Sequence, residues 1–276
     1  MENNQKTLKE PIEFNGVGLH TGEKVCLILN PAKENHGIKF QRIDLPEAPI
    51  IPADIDLVKD TQRCTTLELN KVRIITVEHL MSALYALGVN NVLIKMNRSE
   101  VPILDGSAKL FVEGIQKVGL KVQNAPLKII NLPEPIHYTD TESGSEILFV
   151  PANNFIISVV LDYQNPVLGT QYAEIRNLEN YPQEIAPCKT FVLLTELEKL
   201  AQANLIKGGD LQNAIVLVDR DEIKISDIKK LAHLLGKDDT EIKVNGNILN
   251  NCELKFYNEP ARHKLLDVIG DLALIG

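Results

Sequence analysis

The chain has little of what marks several large protein classes. No run of Lys and Arg stands out among its 276 residues, and 29 basic against 37 acidic side chains leave a net charge of −8. A general grip on nucleic acid depends on neutralising phosphates, so the composition argues against that class. No apolar run approaches the roughly 20 residues that cross a bilayer. The opening residues, MENNQKTLKEPIEF, hold no apolar core of a secretory leader. Cys26, Cys64, Cys188 and Cys252 are scattered singly, with no CxxC pair, which favours reduced surroundings over a disulfide scaffold. These absences predict a cytoplasmic globular protein without a transmembrane segment. An anionic substrate remains compatible with the acidic balance, because a few local cations suffice for one site.

Hydrophobic residues make up 44% of the chain, enough for two modest domains or one large one. Residues 11–19, 23–30, 37–41, 64–69 and 72–75 are strand-like runs between Gly, Pro and Asn punctuation. TVEHLMSALYALG (76–88) repeats Leu80, Leu84 and Leu87 at helical spacing, with Thr76 placed to cap its start and Gly88 its end. A strand at 91–97 and a helix at 105–119, capped by Ser107, follow. QNAP (123–126) has the composition of a linker. Beyond it, 127–132, 146–151, 154–163 and 213–218 read as strands, and 194–204, 226–237 and 259–276 as helices. Strand runs punctuated by helices, without regular βαβ alternation, predict an α+β fold. Aligning Gly88 with Gly276 superimposes two apolar helices and sets His79 opposite Asp267, a weak internal echo of duplicated domains.

Six histidines are available. His36, His137 and His233 sit in polar or charged surroundings and read as surface residues. His20 lies in NGVGLHTG, whose glycines permit either close approach to a ligand or merely a tight turn. Glu78 and His79 open an otherwise apolar helix. A helix-terminus interaction and a structural hydrogen bond would account for them, as would a site. In EPARHKLLDVIGDLALIG (259–276), His263, Asp267 and Asp271 fall at i, i+4 and i+8, one stripe of a helix. That stripe suits a solvated face. It also suits a metal held by His263 and Asp267, with His79 as third ligand, Glu78 as proton acceptor and Asp271 as an outer carboxylate. Spacing alone leaves both readings open.

NGVGLHTG (15–22), TVEHLMSALYALGVNNVLI (76–94), EVPILDGSA (100–108), CKTF (188–191) and RHKLLDVIGD (262–271) occur in this order. Together they resemble the UDP-3-O-acyl-N-acetylglucosamine deacetylase family, zinc enzymes that catalyse the committed step of lipid A (lipopolysaccharide) synthesis in Gram-negative bacteria. The resemblance runs from about residue 11 to the end of the sequence. It implies zinc, or ferrous iron in the cell, on His79, His263 and Asp267. It implies Glu78 as general base, Thr190 as an oxyanion donor and Asp271 as a carboxylate orienting a catalytic histidine. Lys264, Phe191 and Gly209 would meet the nucleotide-sugar substrate.

The same resemblance implies two similar α+β domains, 1–123 and 127–276, each a sheet plus helices, with the helical layers facing each other and the active site between. A small β insertion falls near 42–70. A β-α-β insertion at about 191–219 would form the acyl passage, with Val192, Leu193, Leu197, Leu200, Ala201, Ile215 and Leu217 as lining. The stretch 220–252 is longer and more charged than the family pattern, and an added surface helix and hairpin is the expectation. The family's catalytic histidine, in a Gly-His motif beyond GDLALIG, lies past Gly276. The expectation is therefore a shortened chain, and some members continue into a hydroxyacyl-carrier-protein dehydratase domain. Two other readings stay open: a weakly active or inactive module that binds the nucleotide sugar or that partner domain, and a different metal-dependent deacylase.

Overall fold

A computed structural model describes residues 4–165, 169–202, 207–220, 224, 226, 227, 229, 243–245, 247–249 and 253–276. Most of the expected helix at 226–237, and most of the charged stretch 220–252, lie outside the described residues.

The first half is built on β1 (Asn4–Leu8), β2 (Ile12–Val17), β3 (Lys24–Pro31), β4 (Ile38–Arg42), β5 (Ile50–Pro52), β6 (Val58–Asp60), β7 (Thr66–Leu69) and β8 (Val72–Ile75). These are followed by α1 (Glu78–Ala86), β9 (Val92–Met96), α2 (Lys109–Val118) and β10 (Leu120–Pro126). A five-stranded sheet runs β2-β3-β9-β4-β5, with β4 and β9 parallel and the other pairs antiparallel. Successive side chains alternate faces, so Val25, Leu27 and Leu29 of β3 and Val92, Ile94 and Met96 of β9 all point inward. Leu27, Leu29, Val92, Ile94 and Met96 share one core with Leu80 and Leu84 of α1 and Phe111 and Ile115 of α2.

Glu78 through Leu84 are all buried, which makes α1 an interior helix rather than an amphipathic surface one. Its end matches expectation. Gly88 sits at φ +73°, donating to the Tyr85 carbonyl at 2.9 Å while Val89 donates to Leu84 at 2.9 Å. Its start does not. Thr76 is at φ +61° and donates its hydroxyl to Glu100 at 3.1 Å, and Val77 occupies the cap position without a side-chain bond. Ser107 does accept from Lys109 N–H at 3.1 Å, though Ala108 is the cap residue of α2.

Residues 123–126 are not a linker. They end β10, which pairs antiparallel with β1 from Leu8↔Leu120 to Asn4↔Pro126. The polar Gln and Asn suggested a linker, but beneath this ribbon Asn91 Nδ2 donates to the side-chain oxygens of both Gln5 and Gln123. Residues 127–132 form no strand; pairing begins instead with β11 (Ile136–Thr139) and β12 (Glu146–Phe149), then β13 (Ile157–Asp162) and β14 (Thr170–Ile175). After α3 (Tyr181–Glu184), β15 (Phe191–Leu193) and β16 (Ile215–Leu217) pair in parallel with α4 (Leu194–Gln202) between them in sequence. The short β17 (Val244–Asn245) and β18 (Ile248–Leu249) extend that sheet. The last helix is α5 (Glu259–Leu272). Among the described residues this is a mixed α/β fold with several sheets and five helices.

Leu265, Leu266 and Ile269 of α5 share the core with Leu80 and Leu84 of α1. The two helices approach so closely that a Cβ on Gly270 would lie 2.1 Å from the Glu78 carbonyl oxygen. This backbone contact brings the first turn of α1 against the middle of α5.

Candidate metal centre

Residues one helical turn apart project side by side, so His263 and Asp267 share a face of α5. Asp267 Oδ1 lies 3.4 Å from His263 Nε2 and 3.7 Å from His79 Nε2 across the helix crossing. The two imidazoles meet edge to face at 4.9 Å. His263 Nδ1 donates to the Cys188 carbonyl at 3.0 Å, which places the proton on Nδ1 and leaves the Nε2 lone pair aimed at the cluster.

Asp267 Oδ2 accepts from Lys264 Nζ at 2.9 Å, while Oδ1 is buried with no hydrogen-bond partner among the described residues. A buried carboxylate oxygen facing two imidazole nitrogens is costly to leave uncompensated. Candidate ligand atoms of His79, His263 and Asp267 all lie within 4.8 Å of one another, which fits the three protein ligands of an open metal site.

The electrostatics favour ligand-ready states. Burial, with His263 beside it, pushes the His79 imidazole down to about 3, and burial also lowers His263. Burial would raise the Asp267 carboxyl, but His263, Lys264 and His79 together hold it below its usual range. The Asp267 carboxylate in turn raises Lys264. Glu78 is pushed up to about 8, first by burial and then by the charge on Asp267. Its Oε2 accepts from Thr65 N–H at 3.0 Å. Two neutral imidazoles and a carboxylate therefore stand next to a carboxyl group that exchanges its proton near neutrality.

A cavity of about 330 Å³ opens over this cluster. Of the residues expected at the site, Glu78, His79, Thr190, Phe191, Gly209, His263, Lys264 and Asp267 all line it. Thr190 is fixed by its N–H bond to the Gly106 carbonyl at 2.8 Å. Phe191 lies 5.6 Å from Tyr163 and 6.3 Å from His263, with Lys264 Nζ 5.8 Å above its ring. Val192, Leu197 and Leu200 make one wall apolar, whereas Leu193, Ile215 and Leu217 do not reach the cavity. The side chain of Ala201 lies outside the described residues.

Asp271 does not line the cavity. Its Oδ1 accepts the Thr65 hydroxyl at 2.6 Å, and burial raises its carboxyl to about 6. His137 is exposed, as expected, His36 is half-buried, and His233 lies outside the described residues. Sequence reasoning missed Tyr163, whose hydroxyl is buried at the cavity with no hydrogen-bond partner among the described residues, and the fully buried Glu100. The aromatic in LDYQNP carries no local signal of a site.

Two imidazoles, one carboxylate and an adjacent carboxyl group in a cleft fit the class of metal-dependent hydrolase sites. The family model described as LpxC, UDP-3-O-acyl N-acetylglycosamine deacetylase, matches residues 5–233 and 229–276. The bifunctional enzyme LpxC/FabZ of Bacteroides thetaiotaomicron is 45% identical over 272 residues, which cover 99% of this chain and 59% of that protein. The UDP-3-O-acyl-N-acetylglucosamine deacetylase of Legionella pneumophila is 39% identical over 99% of this chain and 81% of its own length. For that of Chlamydia caviae the figures are 39%, 100% and 89%. The chain belongs to the UDP-3-O-acyl-N-acetylglucosamine deacetylase family. It spans about three fifths of the length of the bifunctional relatives it matches.

Proposed function

We propose that the chain carries the zinc-dependent hydrolysis of the N-acetyl group of UDP-3-O-(3-hydroxyacyl)-N-acetylglucosamine, giving the free amine and acetate. The observation that carries this reading is the unpartnered Asp267 oxygen facing two imidazoles, with Glu78 beside them and an apolar wall leading away. His79, His263 and Asp267 would hold the zinc, with ferrous iron the alternative. Bound there, the metal supplies Lewis acidity to water and to the acetamide carbonyl. Glu78, beside the cluster with Oε2 held by the Thr65 N–H, takes the proton of the attacking water. The positive charge of a bound metal would draw its raised carboxyl back toward the ionised form that a base needs. Thr190 donates to the oxyanion as charge develops there. Lys264 meets the anionic nucleotide sugar, Phe191 and Gly209 border the sugar, and Val192, Leu197 and Leu200 take the acyl chain.

Asp271 acts as an outer carboxylate. Thr65 bonds Glu78 through its N–H and Asp271 through its hydroxyl, so the two acids grip one residue from two sides. The same reading takes 1–123 and 127–276 as two related α+β units with α1 and α5 facing each other, and the β15-α4-β16 segment as the insertion that receives the acyl chain. The name shared by the bifunctional relatives supports a hydroxyacyl-carrier-protein dehydratase domain as partner.

The zinc-loaded protein should release acetate from the acylated UDP-sugar and ignore simple N-acetyl sugars that lack UDP. Activity on the simple sugars would favour a different deacylase. Tight binding of the nucleotide sugar with no acetate from any substrate would favour a binding module.

A further inference from the structure

Two motifs of the sequence, NGVGLHTG and EVPILDGSA, contribute no metal ligand, yet the structure joins them at one atom group. Glu100 is fully buried, and its carboxylate takes hydrogen bonds only from neutral donors among the described residues. His20 N–H reaches Oε1 at 2.9 Å, and Thr21 N–H and hydroxyl reach Oε2 at 2.8 and 2.7 Å. The Thr76 hydroxyl reaches Oε1 at 3.1 Å. All are donors, so the site is matched to an acceptor-only group. An amide would turn its NH2 toward N–H and O–H donors.

The loop is moulded to this carboxylate. A Cβ on Gly18 would lie 2.3 Å from Glu100 Oε2 and 2.4 Å from Thr21 Oγ1. On the loop's other side, Gly208 N–H donates to the Leu19 carbonyl at 3.0 Å. Leu19 and His20 form part of the cavity wall, and His20 Nε2 is buried with no hydrogen-bond partner among the described residues. Thr76 stands two residues before Glu78 and three before His79. One buried carboxylate thus holds a cavity wall and the root of α1 together.

We propose that Glu100 is a positioning residue of the site: its carboxylate fixes the 18–22 loop, and through it the His20 ring, against the end of α1 that bears Glu78 and His79. This rests on the deacetylase reading, with the nucleotide sugar entering beside His20. Glu100 touches neither metal nor substrate; it acts by keeping the wall formed before the ligand arrives, which lowers the ordering cost of binding.

The test uses the zinc-loaded protein and the free-amine nucleotide sugar, the reaction product, as a probe that needs no turnover. Glu100→Gln should weaken product binding in calorimetry by roughly tenfold or more, the equivalent of one buried hydrogen bond to a charged group. Zinc affinity, read by chelator competition, should stay at the wild-type value. Hydrogen exchange at the His20 and Thr21 amides should accelerate. In a His20→Ala background, Glu100→Gln should add less than about twofold, because the two act through one loop. A merely structural role would instead give additive losses that follow the melting temperature. Thr21→Val, which removes one donor and leaves the carboxylate, should weaken binding in the same direction by a smaller factor.

Additive effects in the double variant, or unchanged exchange and binding in both Glu100→Gln and Thr21→Val, overturn the inference. If the wild-type protein does not bind the product, the deacetylase reading fails instead. The exchange measurement, which needs no ligand, still decides whether Glu100 holds the loop.

Discussion

Asp267 faces His79 and His263 with one oxygen and Lys264 with the other, so each change at this cluster should have its own signature. His263→Ala removes one of three proposed ligands and should abolish most zinc retention, measured by metal analysis after dialysis; wild-type zinc content would overturn the ligand assignment. Glu78→Gln should keep the metal and lose roughly 10²–10⁴ in kcat, since the base acts on a water already in place. A rate near wild type would remove Glu78 from the chemistry. The i, i+4 spacing and the acid-histidine pair at a helix start made these residues candidates, but a solvated helix face fitted the spacing as well. The ordered family motifs singled the cluster out. Asp271 shared the spacing but is turned toward Thr65, a partner from the other half of the chain that no spacing announces. Glu100 and Tyr163 were silent for the same reason: each owes its place to segments far away in sequence.

Helices and strands were legible where their apolar period was strong. That is why α1, α5 and β9 fall where the apolar spacing places them. Thr76 broke the rule because Glu100 claims its hydroxyl and holds it outside the helix. β1 and β10 were missed because their polar residues face a buried amide network rather than water. Asn91 donates to both Gln5 and Gln123, whose own amides bond the Pro126 and Ala32 carbonyls, and a hydrophobicity pattern cannot register such burial. The crossing of α1 and α5 yields a prediction at this scale. Gly270→Ala inserts a methyl against the Glu78 backbone, which cannot rotate away as a side chain would. The variant should lose about 1–3 kcal/mol of stability by overpacking, read by denaturant unfolding. It should also bind zinc more weakly, because the helices that carry the ligands are forced apart. Unchanged stability and unchanged zinc affinity together would mean that the crossing does not set the site.

Across the whole molecule, one proposed ligand comes from the first half of the chain and two from its last helix. A metal at this point ties the halves together, and whatever binds only the folded state stabilises it. With free zinc at a thousandfold its dissociation constant, the gain is about 4 kcal/mol. A strong chelator should therefore lower the melting temperature of the zinc-loaded protein by several degrees, and zinc, but not magnesium, should restore it. A melting temperature indifferent to chelation would place the metal elsewhere.

The contact between Gly270 and Glu78 also dictates an order of events in time. The sheet that buries α1 is complete by β9, whereas α5 lies at the far end of the sequence. Closing so long a stretch of chain costs entropy before any contact rewards it. During refolding, the first half can collapse early while the capacity to bind metal waits for α5 to dock. Metal uptake would then act as a clock for the last step of folding.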